Sequence, residues 1–355
     1  MAEEARAGGD ARKIKVLIVD DSATIRKLLS SIFSRDPGIE VVATAERPSQ
    51  VEELIAKHRP DVITLDIHMP EMDGVTLLKQ FFPKTPIPTV IITSLSMEEG
   101  PLVLDALESG AVDYIQKPSL EALDQAAPLI LEKVKVASKA KLRTGRHAFR
   151  STRRLTAVPL EHGCVVAIGS STGGTEAVKE ILVRLPEKIP PILIVQHIPA
   201  VFSRAFANRM NELCPFEVKE ARDGDEVVSN RVLIAPGGKQ MSLKRVRDQL
   251  QVVIDDSAPV NRHRPSVDVL FDSVAANLGK QALGAILTGM GGDGARGLLK
   301  MRQAGARTIA QDEASCIVFG MPREAIRLGA AQEVRPLLEI PEVLAKWFTQ
   351  VKKVA

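Results

Sequence analysis

From Lys13 onward, short apolar runs alternate with amphipathic stretches. Ile14–Val19 closes on Asp20-Asp21, and Ile25, Leu28, Leu29 and Ile32 then fall at helical spacing. The pairing recurs as Ile39–Ala43 with Val51–Ile55, and Val62–Leu65 with Val75–Phe81. It recurs again as Val90–Ile92 with Leu102–Leu107, and Tyr114–Ile115 with Leu120–Val134. Five apolar runs, each followed by a helix, predict a parallel sheet with helices on both faces.

Residues 133–160 break the rhythm, with nine Lys or Arg, no acid and fading apolar periodicity. They predict a solvated linker that extends the preceding helix by a turn or two. The segment lacks the aromatic-basic interleaving of a nucleic-acid arm, Phe149 standing alone among the basic residues. A second α/β block starts at Cys164, with strands predicted in CVVAIG, PILIVQH, RVLIAPGG, LQVVID, LGAILTGM and RTIAQD. Helices are predicted over Glu176–Leu185, Val267–Leu278 and Gly294–Ala304. The fold class expected is α/β with two doubly wound parallel-sheet domains, at 12–132 and 161–350, joined by the basic segment 133–160. A chain of 355 residues is long enough for two such cores.

Composition narrows the class further. A hydrophobic share of 45% fits globular domains, and a net charge of +3 is nearly balanced and does not by itself imply an acidic partner. Cys164, Cys214 and Cys316 are odd in number and widely spaced, which fits neither a disulfide framework nor a metal-ligand pattern. A reducing, cytoplasmic setting is expected. The polar N-terminus lacks a signal-peptide pattern and reads as a disordered tail, and no apolar run is long enough for membrane insertion.

Chemistry is expected at the carboxyl ends of the strands. In the first block those ends carry Asp20-Asp21, Asp66, Thr93-Ser94 and Lys117-Pro118. Clustered carboxylates repel unless a cation neutralises them, and an all-oxygen set suits Mg²⁺. Added to Thr93 and Lys117, the cluster suits a phosphoryl group. As single residues, the aspartates would read as helix caps and Lys117 as a surface charge. Residues 14–120 resemble the receiver domain of two-component response regulators, through the Asp pair, Asp66 with Met69-Pro70 and Asp73-Gly74, Thr93, Tyr114 and Lys117-Pro118. The resemblance implies a flavodoxin-like fold and phosphorylation of Asp66 by a histidine kinase of the CheA type. It implies Mg²⁺ among Asp20, Asp21, Asp66 and the His68 carbonyl, with Thr93 and Tyr114 as a switch pair.

In the second block, Gly169-Ser170-Ser171-Thr172-Gly173 is a G-x-S-x-G string at a strand-to-helix turn, which exposes the Ser171 hydroxyl. A plain Ser/Gly helix cap would look the same. The next strand delivers His197, a general-base candidate. Gly289–Gly294 reads as G-x-G-x-x-G with Asp312-Glu313 downstream, but Asp293 inside that loop would repel a pyrophosphate. The same carboxylate suits the orienting member of a Ser171, His197, Asp293 triad. Residues 164–348 resemble the catalytic domain of the CheB-type chemotaxis methylesterases, through IGSSTGGTEA, VQHIPAVFSRAF, VLIAPGGKQM, RHRPSVDVLF, ILTGMGGDGARGL and AQDEASCIVFGMPREAI. Gln240 and Arg262 depart from the family's pattern.

That resemblance implies methylated chemoreceptors as substrate, hydrolysis of glutamate γ-methyl esters, deamidation of glutamines, and no cofactor for the esterase step. Backbone N–H groups in the loops of Thr172 and Met290 would hold the oxyanion. With the receiver in front, a steric control is expected, in which the unphosphorylated receiver covers the Ser171 rim. A DNA-binding regulator would instead need a helix-turn-helix after the linker, and a dinucleotide enzyme would be stabilised by NAD(P)H.

Overall fold

The computed structural model describes residues 12–94, 96, 99–119, 123–142, 155 and 164–350. The N-terminal tail and most of the basic segment beyond residue 142 lie outside the described residues. The chain forms two compact units, each around its own parallel sheet.

In chain order the first part runs β1 (Ile14–Val19), α1 (Ala23–Ser34), β2 (Ile39–Ala45), α2 (Val51–His58), β3 (Val62–Asp66), α3 (Gly74–Phe81), β4 (Thr89–Thr93), α4 (Gly100–Glu108), β5 (Asp113–Gln116) and α5 (Leu123–Ala137). The strand order is β2-β1-β3-β4-β5, and every pairing is parallel. β3 is buried at all five positions, as a central strand covered on both faces requires. Helix α1 turns Leu28, Leu29, Ile32 and Phe33 inward, the stripe set by its helical spacing. Asp73 caps α3 by accepting from the Thr76 backbone N–H at 2.9 Å.

The second part runs β6 (Val165–Ser170), α6 (Gly174–Leu182), β7 (Ile192–Gln196), α7 (Ala200–Leu213), β8 (Glu217–Glu220), β9 (Arg231–Ile234), β10 (Gln240–Val246) and β11 (Gln249–Asp255). It continues through α8 (Val267–Leu278), β12 (Ala282–Ile286), α9 (Ala295–Gln303), β13 (Arg307–Gln311), α10 (Met321–Arg327), β14 (Glu333–Arg335) and α11 (Ile340–Gln350). Seven strands form one parallel sheet in the order β14-β13-β12-β6-β7-β9-β8.

LQVVID is a strand, but not a member of that sheet. It is β11, paired antiparallel with β10 in a separate hairpin. Strands β8, β10 and β14 are additions to the expected set; EVKE and EVR are too short and polar to stand out in an apolar pattern. The core beneath the hairpin joins Met241, Leu243 and Val252 to Leu270, Phe271 and Val274 of α8.

Both sheets reverse direction at their first strand. The chain leaves β1 for β2 on one side and returns to β3 on the other; it leaves β6 for β7 and returns to β12. Such reversal points open a crevice at the strands' carboxyl ends, which is where ligands bind in this architecture.

Candidate functional sites

At the first reversal point, Asp20 directly follows β1 and Asp66 ends β3, both fully buried. Oxygens of Asp20, Asp21 and Asp66 lie within 4.8 Å of one another. Lys117, just beyond β5, sets its Nζ 2.7 Å from Asp66 Oδ2 and 3.5 Å from Asp20 Oδ2. One ammonium against three carboxylates leaves the cluster net negative. Burial, then the Asp66 charge, pushes Asp20 up to about 6. Burial also raises Asp66, with the hydrogen bond from Lys117 opposing it. Asp20 Oδ2 is buried without a hydrogen-bond partner. An orphaned oxygen in an over-negative oxygen cluster is what a hard divalent cation would satisfy.

The backbone there is close-packed. A Cβ on Gly74 would stand 2.0 Å from the Asp66 carbonyl oxygen, while the Gly74 N–H donates to Ile67 O at 2.8 Å. The Asp-Gly step thus lets α3 start directly against the strand that carries Asp66. Thr93 ends β4 and is fully buried, and its carbonyl accepts from the Lys117 N–H at 2.7 Å. Tyr114 lies buried in β5 under Lys133, whose Nζ is 4.7 Å from the ring centroid.

At the second reversal point, register does the assembly. Ser170 pairs with Gln196 across β6 and β7, so Ser171 and His197 are the first residues past the ends of adjacent strands. The His197 N–H donates to Ser170 O at 3.0 Å. β12 pairs with the other side of β6, and the loop beyond it carries Asp293. Asp293 Oδ2 lies 2.8 Å from His197 Nε2.

Asp293 is 2% exposed and accepts from Ser266 Oγ and Asn261 Nδ2, each at 2.7 Å to Oδ1, and from the Val267 N–H at 2.7 Å to Oδ2. Burial alone would raise it; the hydrogen bond and charge of His197, then Asn261 and Ser266, hold it down at about 2. It is a carboxylate at neutral pH, so Nε2 carries the proton and donates. His197 Nδ1 is then the lone-pair nitrogen, and it is buried without a hydrogen-bond partner. The ring is turned the opposite way from that of the serine proteases, where Nδ1 faces the acid and Nε2 the nucleophile.

The turn around Ser171 is fixed by its neighbours. Gln196 accepts from Ser170 Oγ at 2.6 Å and donates to the Ser171 carbonyl at 2.8 Å. A Cβ on Gly174 would meet Gln196 Oε1 at 2.1 Å, so the second glycine of the pair makes room for this clamp. The Ser171 N–H is already spent on Thr288 O at 3.0 Å, so it is not an oxyanion donor in this arrangement. Thr172 is buried beside it, its carbonyl accepting from Thr288 Oγ1 at 3.0 Å, and Met290 lies in the loop after β12. The carboxylate in the G-x-G-x-x-G string points into the His197 and Ser266 network, and Asp312 is tied into a turn by the Ser315 N–H at 3.0 Å. Neither is placed as a nucleotide ligand. Gln196, Asn261, His263, Ser266 and Thr288 complete the site and were not singled out by the sequence reading.

An acidic cluster with a lysine at the rim of one parallel sheet, and a serine, histidine and buried carboxylate at the rim of another, mark a receiver and a hydrolase. Similarity to known proteins bears on both parts. Residues 166–344 match the CheB methylesterase family, and residues 16–127 match the response regulator receiver domain. A "Protein-glutamate methylesterase/protein-glutamine glutaminase" of Bordetella parapertussis is 51% identical over 336 residues, covering 93% of this chain and 96% of the relative. One of the same name from Salmonella typhimurium is 47% identical over 338 residues, covering 94% and 97%. The crystal structure of the Thermotoga maritima CheB methylesterase catalytic domain is 40% identical, covers 53% of this chain and all of that one, and has a TM-score of 0.52. The chain belongs to the CheB methylesterase family: it is an ester hydrolase carrying a response regulator receiver domain. Among the described residues no helix is long and apolar enough to cross a membrane.

Proposed function

We propose that the chain hydrolyses glutamate γ-methyl esters on chemoreceptors, releasing methanol, and deamidates receptor glutamines by the same chemistry. Ser171 is the nucleophile, His197 the base and Asp293 the orienting acid. The observation that carries this reading is the pair of states on one imidazole: Nε2 fixed on an ionised Asp293, Nδ1 buried and unpartnered. Ser171 Oγ attacks the ester carbonyl as its proton passes to His197 Nδ1. Asp293 offsets the charge that forms on the ring. The tetrahedral oxyanion is held by backbone N–H groups of the Thr172 and Met290 loops, a type of donor worth on the order of 10²-fold or more in rate. His197 returns the proton to the departing methoxide, which leaves as methanol, or to the amide nitrogen of a glutamine, which leaves as ammonia, and water then cleaves the acyl-enzyme by the same route.

Control lies in the receiver, taken as residues 12–132 and joined by the segment 133–160 to the catalytic domain at 161–350. Asp66 accepts phosphate from a histidine kinase of the CheA type. Asp20, Asp21 and Asp66 would hold Mg²⁺, which when bound neutralises charge on the transferring phosphoryl group. Lys117 supplies a fixed positive charge at the same oxygens, and Thr93 and Tyr114 relay the change as a switch pair.

The test is methanol release from methylated receptor, with and without a small phosphodonor and Mg²⁺. The phosphodonor should raise the rate in the parent and leave Asp66→Asn unchanged. Ser171→Ala should fold and release no methanol; a folded, active Ser171→Ala would place the nucleophile elsewhere.

A further inference from the structure

His197 has a second neighbour that the triad does not use. The His263 ring lies flat on it, with centroids 3.7 Å apart and planes 9° from parallel. The loop that brings it there is built with care. Asn261 and Arg262 both take left-handed backbone conformations, with φ of 52° and 69°, which non-glycine residues seldom adopt. Val260 and His263 exchange backbone hydrogen bonds of 3.0 and 2.8 Å across that turn. Gln240, buried on β10, brackets the loop: Nε2 donates to Ala258 O and His263 O, each at 3.2 Å, and Oε1 accepts from the Ser266 N–H at 2.8 Å. One loop thus serves two partners, with Asn261 and Ser266 at its ends on Asp293 and His263 between them on the face of His197.

The hydrogen bond to Asp293 fixes where Nε2 sits. It restrains rotation about the Cα–Cβ and Cβ–Cγ bonds of His197 at one ring atom only, and the rocking that remains moves Nδ1. A flat ring pressed on the imidazole face removes it. We infer that His263 is a positioning residue for ester hydrolysis, acting through His197 by holding its ring plane so that Nδ1 meets the Ser171 hydroxyl. The inference rests on the triad reading above.

The test uses the full chain with phosphodonor and Mg²⁺, a receptor-derived peptide carrying a glutamate γ-methyl ester, and three variants. His263→Ala should lower kcat by roughly tenfold or more with KM within about twofold, since small misplacements of a base cost rate rather than binding. His263→Phe keeps a flat face and should recover kcat to within about threefold of the parent. His263→Leu fills the space without a plane and should stay low. A kcat for His263→Ala within about twofold of the parent overturns the inference, and so does a Phe variant no faster than Leu. Should the Ala variant fail to fold by thermal unfolding, the Phe and Leu pair decides alone. Ser171→Ala, run beside them, separates the two failures. Activity surviving in Ser171→Ala removes the triad reading itself, whereas an inactive Ser171→Ala with a fast His263→Ala removes only the positioning role.

Discussion

Replacing Asp293 by Asn changes one oxygen to an NH₂ and leaves the shape intact, yet the surroundings of that side chain tolerate no donor. Oδ1 accepts from Asn261 and Ser266, and Oδ2 from His197 and Val267. With the NH₂ at the Oδ2 position, it faces the Val267 N–H, and His197 can pair with it only by moving its proton to Nδ1. The base nitrogen is then lost. With the NH₂ at the Oδ1 position, Ser266 can turn its hydroxyl to accept, but Asn261 Nδ2 cannot, because its other contact is an acceptor, Asp268 Oδ2 at 2.8 Å. A donor left unpaired costs about 1–3 kcal/mol. Holding Asp293 at about 2 against an ordinary 3.8 corresponds to about 2 kcal/mol of stability, also lost. The sum, about 3–5 kcal/mol, should lower the catalytic domain's melting temperature by roughly 6–20 °C. Methanol release at saturating substrate should fall on the order of 10²- to 10⁴-fold, the range of a misdirected general base. Because the folded pKa is depressed, the charge stabilises fully above pH 3.8 and ceases to as pH falls through about 2. The stability gap between parent and variant should therefore narrow between pH 4 and pH 2 in urea titrations. A folded Asp293→Asn with kcat within threefold of the parent would refute the orientation argument.

The receiver offers two further tests. Gly74→Ala would drive a Cβ against the Asp66 carbonyl oxygen, at 2.0 Å in the unrelaxed backbone, and should destabilise the receiver by about 3 kcal/mol, the upper part of the overpacking range; an unshifted receiver transition in calorimetry would show that α3 can slide. Asp20 carries the opposite sign from Asp293: its folded pKa is raised to about 6, so without metal the receiver loses stability as pH rises from 3.8 through about 6. Protons then compete with Mg²⁺, and Mg²⁺ affinity by calorimetry should weaken about tenfold per pH unit below pH 6; a flat profile between pH 7 and pH 5 would show that Asp20 does not face the ion.

The sequence carried the central strands of both sheets, because runs such as VITLD and VVAIGS are mostly apolar until they end on a charged or small polar residue. That same break marked Asp66 and Ser171 as strand-end residues. His197 followed from adjacency in the sheet. Less was legible where contacts come from loops without a period. Asn261, His263 and Ser266 reach the site from a turn shaped by positive φ values and by a glutamine on a hairpin, and none of that has a hydrophobic signature. The hairpin itself hid for a related reason: β10 buries its first residues and exposes its last three, so it reads as neither a core strand nor an alternating one. The sense in which the His197 ring is turned could not be read at all, since it depends on which nitrogen the carboxylate reaches.

The insertion of β12 beside β6 has a consequence for how the protein is made. Synthesis delivers β6, β7, β8 and β9 well before Ala282–Ile286, and until then one side of Val165–Ser170 has no neighbour. That strand is buried along its whole length in the finished sheet, so its bare edge is an invitation to any other unpaired strand. A chain that ends within α8 therefore holds Ser171 and His197 without Asp293, and carries that open edge.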